Sequence, residues 1–103
     1  MKIIQTLTEK IHEEIHDAKS YTKMAIHYKE EYPDMARALF GIANQELEHM
    51  QILHGLVSDL IKDYRNEKGE PPTSMMAVYE YLHNKEIEKV ADVKALMDAY
   101  KNS

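Results

Sequence analysis

One row of apolar residues, interrupted once by a carboxylate, most constrains the fold of this chain. From residue 36 to residue 60, apolar side chains recur every three or four positions, which is the spacing of one face of an α-helix. The row comprises Ala36, Leu39, Ala43, Glu46, Met50, Leu53, Val57 and Leu60. Glu46 therefore takes an apolar position, where an unpaired carboxylate would destabilise the fold or take up a proton. Because His49 follows three residues later on the same face, the pair has the Glu-x-x-His spacing of metal ligands in helical bundles.

The N-terminal segment repeats this pattern, again with a single carboxylate in the row. Its members are Ile4, Leu7, Ile11, Glu14, Ala18, Tyr21, Ala25 and Tyr28. Glu13 lies beside Glu14 and could fill an exposed position alone, and the hydroxyl of Tyr21 could reach a buried polar group. We therefore expect Glu14 to point into the protein; the alternative is a boundary residue whose carboxylate reaches solvent.

A third segment follows the same period less closely. Its row comprises Met75, Tyr79, Leu82, Glu86, Val90, Val93, Met97 and Tyr100. Glu86 is its single carboxylate, and His83 lies one turn earlier, which reverses the order of the Glu-x-x-His pair. Glu86 and His83 are further candidate metal ligands, although the charged residues around them also fit a solvated helix surface.

Proline and glycine residues divide the chain between these segments. Pro33 disfavours helix at the preceding residue, and Gly69 with two following prolines ends the second segment. Asp34 can cap the second helix or lie in its first turn, and Thr73 or Ser74 can cap the third. The sequence thus predicts one all-α domain, residues 1–103, with helices at about 3–30, 34–68 and 74–100. The short first connection makes helices one and two an antiparallel hairpin.

Composition narrows the functional classes. The 103 residues include no cysteine, which excludes disulfides, zinc–thiolate sites and iron–sulfur clusters. A net charge of −5 argues against nucleic acid as the main partner. No apolar run approaches the roughly 20 residues that span a bilayer, and the N-terminus turns polar too soon for a signal peptide. We therefore expect a cytoplasmic protein without a membrane partner.

The ligand count predicts self-association. A dinuclear carboxylate site in a four-helix bundle uses a Glu from each of two helices and a Glu-x-x-His pair from each of the other two. One hairpin supplies only Glu14 and the pair Glu46 and His49, so two copies are needed for the full set. We therefore expect a homodimer or larger assembly, with the four-helix site completed between chains. Such oxygen and nitrogen donors suit Fe(II), Mn(II) or Zn(II).

The axial positions of these residues set a condition on the hairpin. Glu14 lies 19 residues before Pro33 and Glu46 lies 13 residues after it. In an ideal hairpin this difference offsets the two carboxylates by about 9 Å along the helix axes. The offset is absorbed if the first helix ends early, near Tyr28, and the connection rises beside the second helix.

Glu14 followed after six residues by Tyr21, and then the Glu46-x-x-His49 pair, resembles the signature of the ferritin-like superfamily over residues 5–60. Within it, the chain resembles the rubrerythrins and the small encapsulated ferritins. The resemblance implies a di-iron or di-manganese site that oxidises Fe(II), reduces peroxide or activates oxygen, as a ferroxidase or peroxidase-type oxidoreductase would. It implies that Glu14, Glu46 and His49 are ligands, with Glu46 bridging the metals and Tyr21 close to them.

The chain also departs from these families. It has one third helix in place of a second pair of motif helices, no cysteine-rich rubredoxin module and no apolar cargo tail. Two alternatives to metal chemistry stay open: a metal-free assembly or adaptor protein whose buried carboxylates set helix register, and a ferritin-like fold that has lost its metals. His12, His16 and His27 are expected to face solvent, and His54 to be a packed histidine.

Overall fold

Three long helices account for nearly all of the computed structural model, which describes residues 2–103. They are α1, Lys2–Tyr28; α2, Pro33–Lys68; and α3, Thr73–Asn102. These bounds lie within two residues of the predicted ones, and the described residues contain no β-strand. The molecule is a rod of 56 × 18 × 18 Å. The all-α fold class predicted from the three apolar rows is confirmed.

The first connection comprises only residues 29–32, between the end of α1 at Tyr28 and the start of α2 at Pro33. The N–H of Tyr32 donates to the Tyr28 carbonyl at 2.8 Å, and the N–H of Ala36 donates to the Tyr32 carbonyl at 2.9 Å. Pro33 opens α2, where its fixed φ suits the first turn and its missing N–H costs nothing. Asp34 lies in that first turn, as expected. The chain therefore reverses at once and makes α1 and α2 antiparallel neighbours.

The second connection begins at Gly69, whose φ of 83° is readily adopted only by glycine. Its N–H donates to the Arg65 carbonyl at 3.1 Å and closes the last turn of α2. The prediction that Thr73 or Ser74 caps α3 is wrong. The cap position belongs to Pro72, which makes no side-chain cap bond, because α3 already begins at Thr73.

Contacts at the far end of α3 fix its direction. Lys29 Nζ donates to the carbonyls of Ser103, at 2.8 Å, and Tyr100. The rings of Phe40 and Tyr100 stack with centroids 4.4 Å apart. The end of α3 thus lies against the α1–α2 connection, so α3 runs parallel to α1 and antiparallel to α2. It packs mainly against α1.

The buried face of α1 is rotated relative to the predicted row. Its buried residues are Ile4, Thr8, Ile11, Ile15, Ala18, Thr22 and Ala25. The hydroxyls of Thr8 and Thr22 are satisfied by the carbonyls four residues earlier, at 2.8 and 2.7 Å, so burial leaves neither unpaired. Ile4 and Thr8 border a groove shared with α3, whose packing on that side extends the buried face. Glu14 consequently lies half-buried at the edge of this face instead of at its centre.

Candidate metal centre

The early end of α1 brings Glu14 level with Glu46. Glu14 lies 14 residues before Tyr28, and Glu46 lies 13 residues after Pro33. With equal rise in both helices, the two carboxylates reach nearly the same height. The offset expected for a longer first helix is therefore absent.

Glu14, Glu46 and His49 form one cluster between α1 and α2. Each offers a ligand atom, and these three atoms all lie within 4.8 Å of one another. His49 Nδ1 lies 3.6 Å from Glu14 Oε2. The Glu14 side chain is 22% exposed and that of His49 is 56% exposed, so the cluster opens on the surface of the single chain.

The two carboxylates of this cluster repel each other. The pKa of Glu46 is raised, first by a side-chain hydrogen bond with Glu14, then by burial and by the negative charge of Glu14; His49 opposes the rise. Glu14 Oε2 is buried and has no hydrogen-bond partner among the described residues. A divalent cation would satisfy that oxygen and remove the repulsion between the two carboxylates. The donor set therefore fits a metal ion of the iron, manganese or zinc type.

Tyr21 lies two turns beyond Glu14 on α1 and packs, half-buried, against the hydrophobic core. Seven residues correspond to about 10.5 Å of helix axis. A position close to the metals stays a prediction for this residue.

The structure brings Glu86 and His83 into a different cluster, with His54 of α2. One ligand atom from each residue lies within 4.8 Å of the others. His54 Nε2 and His83 Nδ1 are 3.0 Å apart in a hydrogen bond, and His83 Nδ1 is 3.7 Å from Glu86 Oε2. Glu86 is the most deeply buried carboxylate of the described chain, at 6% exposure. Neither His83 nor Glu86 joins the Glu14 cluster.

His12 also contacts this second cluster, contrary to the prediction that it faces solvent. Its Nε2 is buried without a hydrogen-bond partner among the described residues and lies 3.6 Å from Glu86 Oε1. Its place was missed because the apolar row of α1 does not reveal that α3 covers its flank. His16 and His27 are exposed, as expected. His54 is half-buried and in contact with His83, which agrees with a packed histidine.

Burial shifts the pKa values of the second cluster. It raises the pKa of Glu86, against the opposing effects of His83 and Lys89. It lowers the pKa of His12, helped by the charge of Lys89, and that of His54, helped by His83. Burial is the largest cause of all three pKa shifts, because a buried site disfavours the charged form of every group.

The two clusters lie on different sides of the α1–α2 hairpin. His12 and Glu14 are two residues apart on α1, which separates their directions by about 200° around the helix. His12 contacts Glu86 of α3, whereas Glu14 contacts His49 of α2. The Glu14 cluster therefore occupies the side of the hairpin that α3 leaves uncovered.

An antiparallel hairpin of long helices, with a Glu on the first and a Glu-x-x-His pair on the second, defines a ferritin-like helical protein. The family model described as Rubrerythrin matches residues 5–101. The chain therefore belongs to the rubrerythrin family, and the ferritin-like fold predicted from Glu14, Glu46 and His49 is confirmed. Comparisons with curated proteins and with solved structures gave no significant match. No helix within residues 2–103 is both long and apolar enough to cross a bilayer.

Proposed function

We propose that this rubrerythrin-family chain is a metal-binding protein whose Glu14, Glu46 and His49 bind iron-type divalent ions. The observation that carries the proposal is the convergence of these three donors within 4.8 Å around a buried, unpartnered Glu14 oxygen. Family membership favours iron over manganese or zinc.

The roles of the three residues follow from their surroundings. Glu46 binds as the carboxylate, because a bound dication favours the ionised form. The cation would offset the negative charge of Glu14, which contributes to the raised pKa of Glu46. Glu14 offers the buried Oε2, and His49 offers Nδ1 from the solvent side. Iron bound there would supply one-electron chemistry toward oxygen or peroxide, so Fe(II) oxidation or peroxide reduction is the activity that we propose.

Seven-residue rows around the cluster support completion of the site by a second copy. Residues seven apart on a helix lie within about 20° of one another. The rows are Leu7, Glu14, Tyr21 and Tyr28; Leu39, Glu46, Leu53 and Leu60; and Met35, Ile42, His49 and Leu56. We call these rows the ligand face. Apart from the ligands, every member is apolar or aromatic, none is fully buried, and Met35 and Leu56 are 43% and 47% exposed.

A second hairpin laid on the ligand face would cover this apolar surface. Two-fold symmetry would place the same face on both chains, as an isologous interface requires. The pair of chains would then hold four carboxylates and two imidazoles, which is the set used by dinuclear carboxylate sites. The proposed unit is therefore a homodimer or a larger assembly of such dimers.

Metal content tests the proposal. The protein is loaded anaerobically with Fe(II), desalted and analysed for iron as wild type, Glu46→Ala and Glu48→Ala. Glu48 is an exposed carboxylate two residues away and provides a matched control. We expect about one iron per chain in wild type and Glu48→Ala, and loss in Glu46→Ala. Equal iron in all three proteins, or none with Fe(II), Mn(II) or Zn(II), would reject the Glu14 site.

A metal-free assembly protein is the second candidate, and the closeness of the Glu14 and Glu46 carboxyl groups favours it. Neighbouring buried polar groups can set the register of packed helices without a metal. In that case the fold survives chelators, and Glu46→Leu disrupts the assembly. If Glu46→Leu stabilises the protein instead, the carboxylates are remnants of a lost site.

A further inference from the structure

We propose that His54, His83 and Glu86 form a second, mononuclear site for a zinc-type divalent ion that links α2 to α3. Its residues come from two helices whose backbones approach each other at few places. The site is separate from the Glu14 cluster, because the two lie on different sides of the hairpin. Its existence does not depend on iron binding at the ligand face.

The spacing of the donor atoms fits one small ion. Zinc–nitrogen and zinc–oxygen bonds are about 2.0–2.2 Å long, so donors in a tetrahedral site lie about 3.3–3.5 Å apart. The observed separations are 3.0 Å between His54 Nε2 and His83 Nδ1 and 3.7 Å between His83 Nδ1 and Glu86 Oε2. Shifts of a few tenths of an ångström would bring both to the ideal value.

Neighbouring side chains already hold the donors in place. Tyr79 stacks on the His83 ring, with centroids 5.9 Å apart and planes 11° from parallel. The His54 ring also contacts the His83 ring, with the two centroids 4.7 Å apart. His12 Nε2 lies 3.6 Å from Glu86 Oε1 and has no hydrogen-bond partner among the described residues. His12 can therefore orient Glu86 through Oε1 while Oε2 faces His83. Residues outside the coordination sphere commonly position metal-binding carboxylates in this way.

A groove between α2 and α3 gives an ion access to these donors. Its volume is about 550 Å³, and His54, His83 and Glu86 line it together with the small residues Gly55 and Ala91. Glu86 supplies a buried carboxylate inside the groove. An ion that bound there would lose its water shell, and the negative charge of Glu86 and the two imidazoles would compensate for this loss. The groove would leave the remaining coordination position to water.

The ligand set separates this site from the Glu14 cluster in chemistry. Two imidazoles and one carboxylate with an open position form a common zinc site. Two carboxylates and one imidazole from each chain, by contrast, suit a dinuclear centre. We therefore expect Zn(II), or Co(II) as its spectroscopic substitute, to prefer the His54 site. A bound ion would cross-link α2 and α3 and raise the melting temperature.

The test uses Glu46→Ala protein, in which the Glu14 cluster is disabled. Zinc chloride is titrated into this protein by calorimetry, alone and with His54→Gln, His83→Gln or His16→Gln added. His16 is an exposed histidine of α1 and serves as the control. We expect one Zn(II) per chain in Glu46→Ala and with His16→Gln, and affinity at least about tenfold weaker with His54→Gln or His83→Gln. Circular dichroism verifies that each variant is helical.

A measurement on unfolding guards against variants that misfold. Zinc should raise the melting temperature of Glu46→Ala, and this increase should vanish when His54→Gln is added. Two results would overturn the proposal: no zinc binding by folded Glu46→Ala, or the same affinity after both His54→Gln and His83→Gln. Loss of iron at the ligand face would not affect either result, so the two sites are tested independently.

Discussion

His49 Nδ1 of α2 lies 3.6 Å from Glu14 Oε2 of α1, and the contact joins the two ligand-bearing helices. The imidazole is 56% exposed, and such exposed pairs contribute only about 0–1 kcal/mol to stability. The hairpin must therefore be held by its apolar core, not by its candidate ligands. Replacements of the ligands should accordingly alter metal binding without unfolding the chain.

We predict that His49→Ala changes the free energy of unfolding of the metal-free protein by about 1 kcal/mol or less. The His49 side of the lost contact is solvent-exposed, with the side chain 56% exposed, and the alanine suits a helix. Urea denaturation in the presence of a chelator measures the change. A loss several times larger would mean that His49 supports the fold itself.

Ile15→Ala should destabilise the protein by about 2–5 kcal/mol, because Ile15 is 2% exposed and its removal leaves a cavity in the core. Ile52 is 64% exposed and provides the control, for which we expect a change within about 0.5 kcal/mol. Thermal or urea unfolding compares the two variants. Equal effects would contradict the described core.

Leu56→Glu should weaken dimerisation at least about tenfold, because it places a charge within the apolar rows of the ligand face. Tyr81 on α3 is 62% exposed and lies outside those rows, so Tyr81→Glu is the matched control. Sedimentation over a range of protein concentrations gives the dissociation constants. If Leu56→Glu associates like wild type while Tyr81→Glu does not, α3 forms the interface instead.

In the metal-free protein, the contribution of Glu46 to stability should fall as pH rises above about 4.5, because its pKa is raised in the folded state. A raised pKa in the folded state means that ionisation costs the folded chain more than the unfolded one. Glu46→Gln cannot ionise, so its stability advantage over wild type should grow across this range. Unfolding in urea at several pH values, with Glu48→Gln as control, measures this. An advantage that shrinks with rising pH would show that Glu46 ionises easily.

His54 should produce the opposite trend in acid. Burial lowers the pKa of His54 in the folded state. The contribution of His54 to stability is therefore complete above about pH 6.5 and is lost as pH falls through the pKa of the folded state. As pH falls from neutral to below about 6.5, His54→Gln should therefore lose less stability than wild type. His16→Gln, altered at an exposed position, should follow wild type. The same series of urea curves, recorded without metal, decides the matter.

Much of the fold was readable from the apolar rows, because one period governs each helix and the proline and glycine positions divide them. The convergence of Glu14, Glu46 and His49 was also predictable once α1 was allowed to end at Tyr28. The expectation of a longer first helix missed the turn that begins after that residue.

The second cluster was less accessible to sequence reasoning. A period shows which face of a helix is buried but not which neighbour covers it, so nothing joined His12 or His54 to Glu86 in advance. Thr8 and Thr22 were also missed as core residues, since their hydroxyls are satisfied by their own helix. The visible signal was Glu86 in an otherwise apolar row, with His83 one turn earlier.

One turn of α1 contributes a residue to each of the two sites. Glu14 contacts His49 on one side of the helix, and His12 contacts Glu86 on the other. A substitution that tilts or unwinds this turn would perturb both sites at once, whichever residue it replaced. Variants in residues 12–15 therefore cannot assign an effect to either site. Clean genetic separation of the two requires changes on α2 and α3, where His49 and His83 belong to one cluster each.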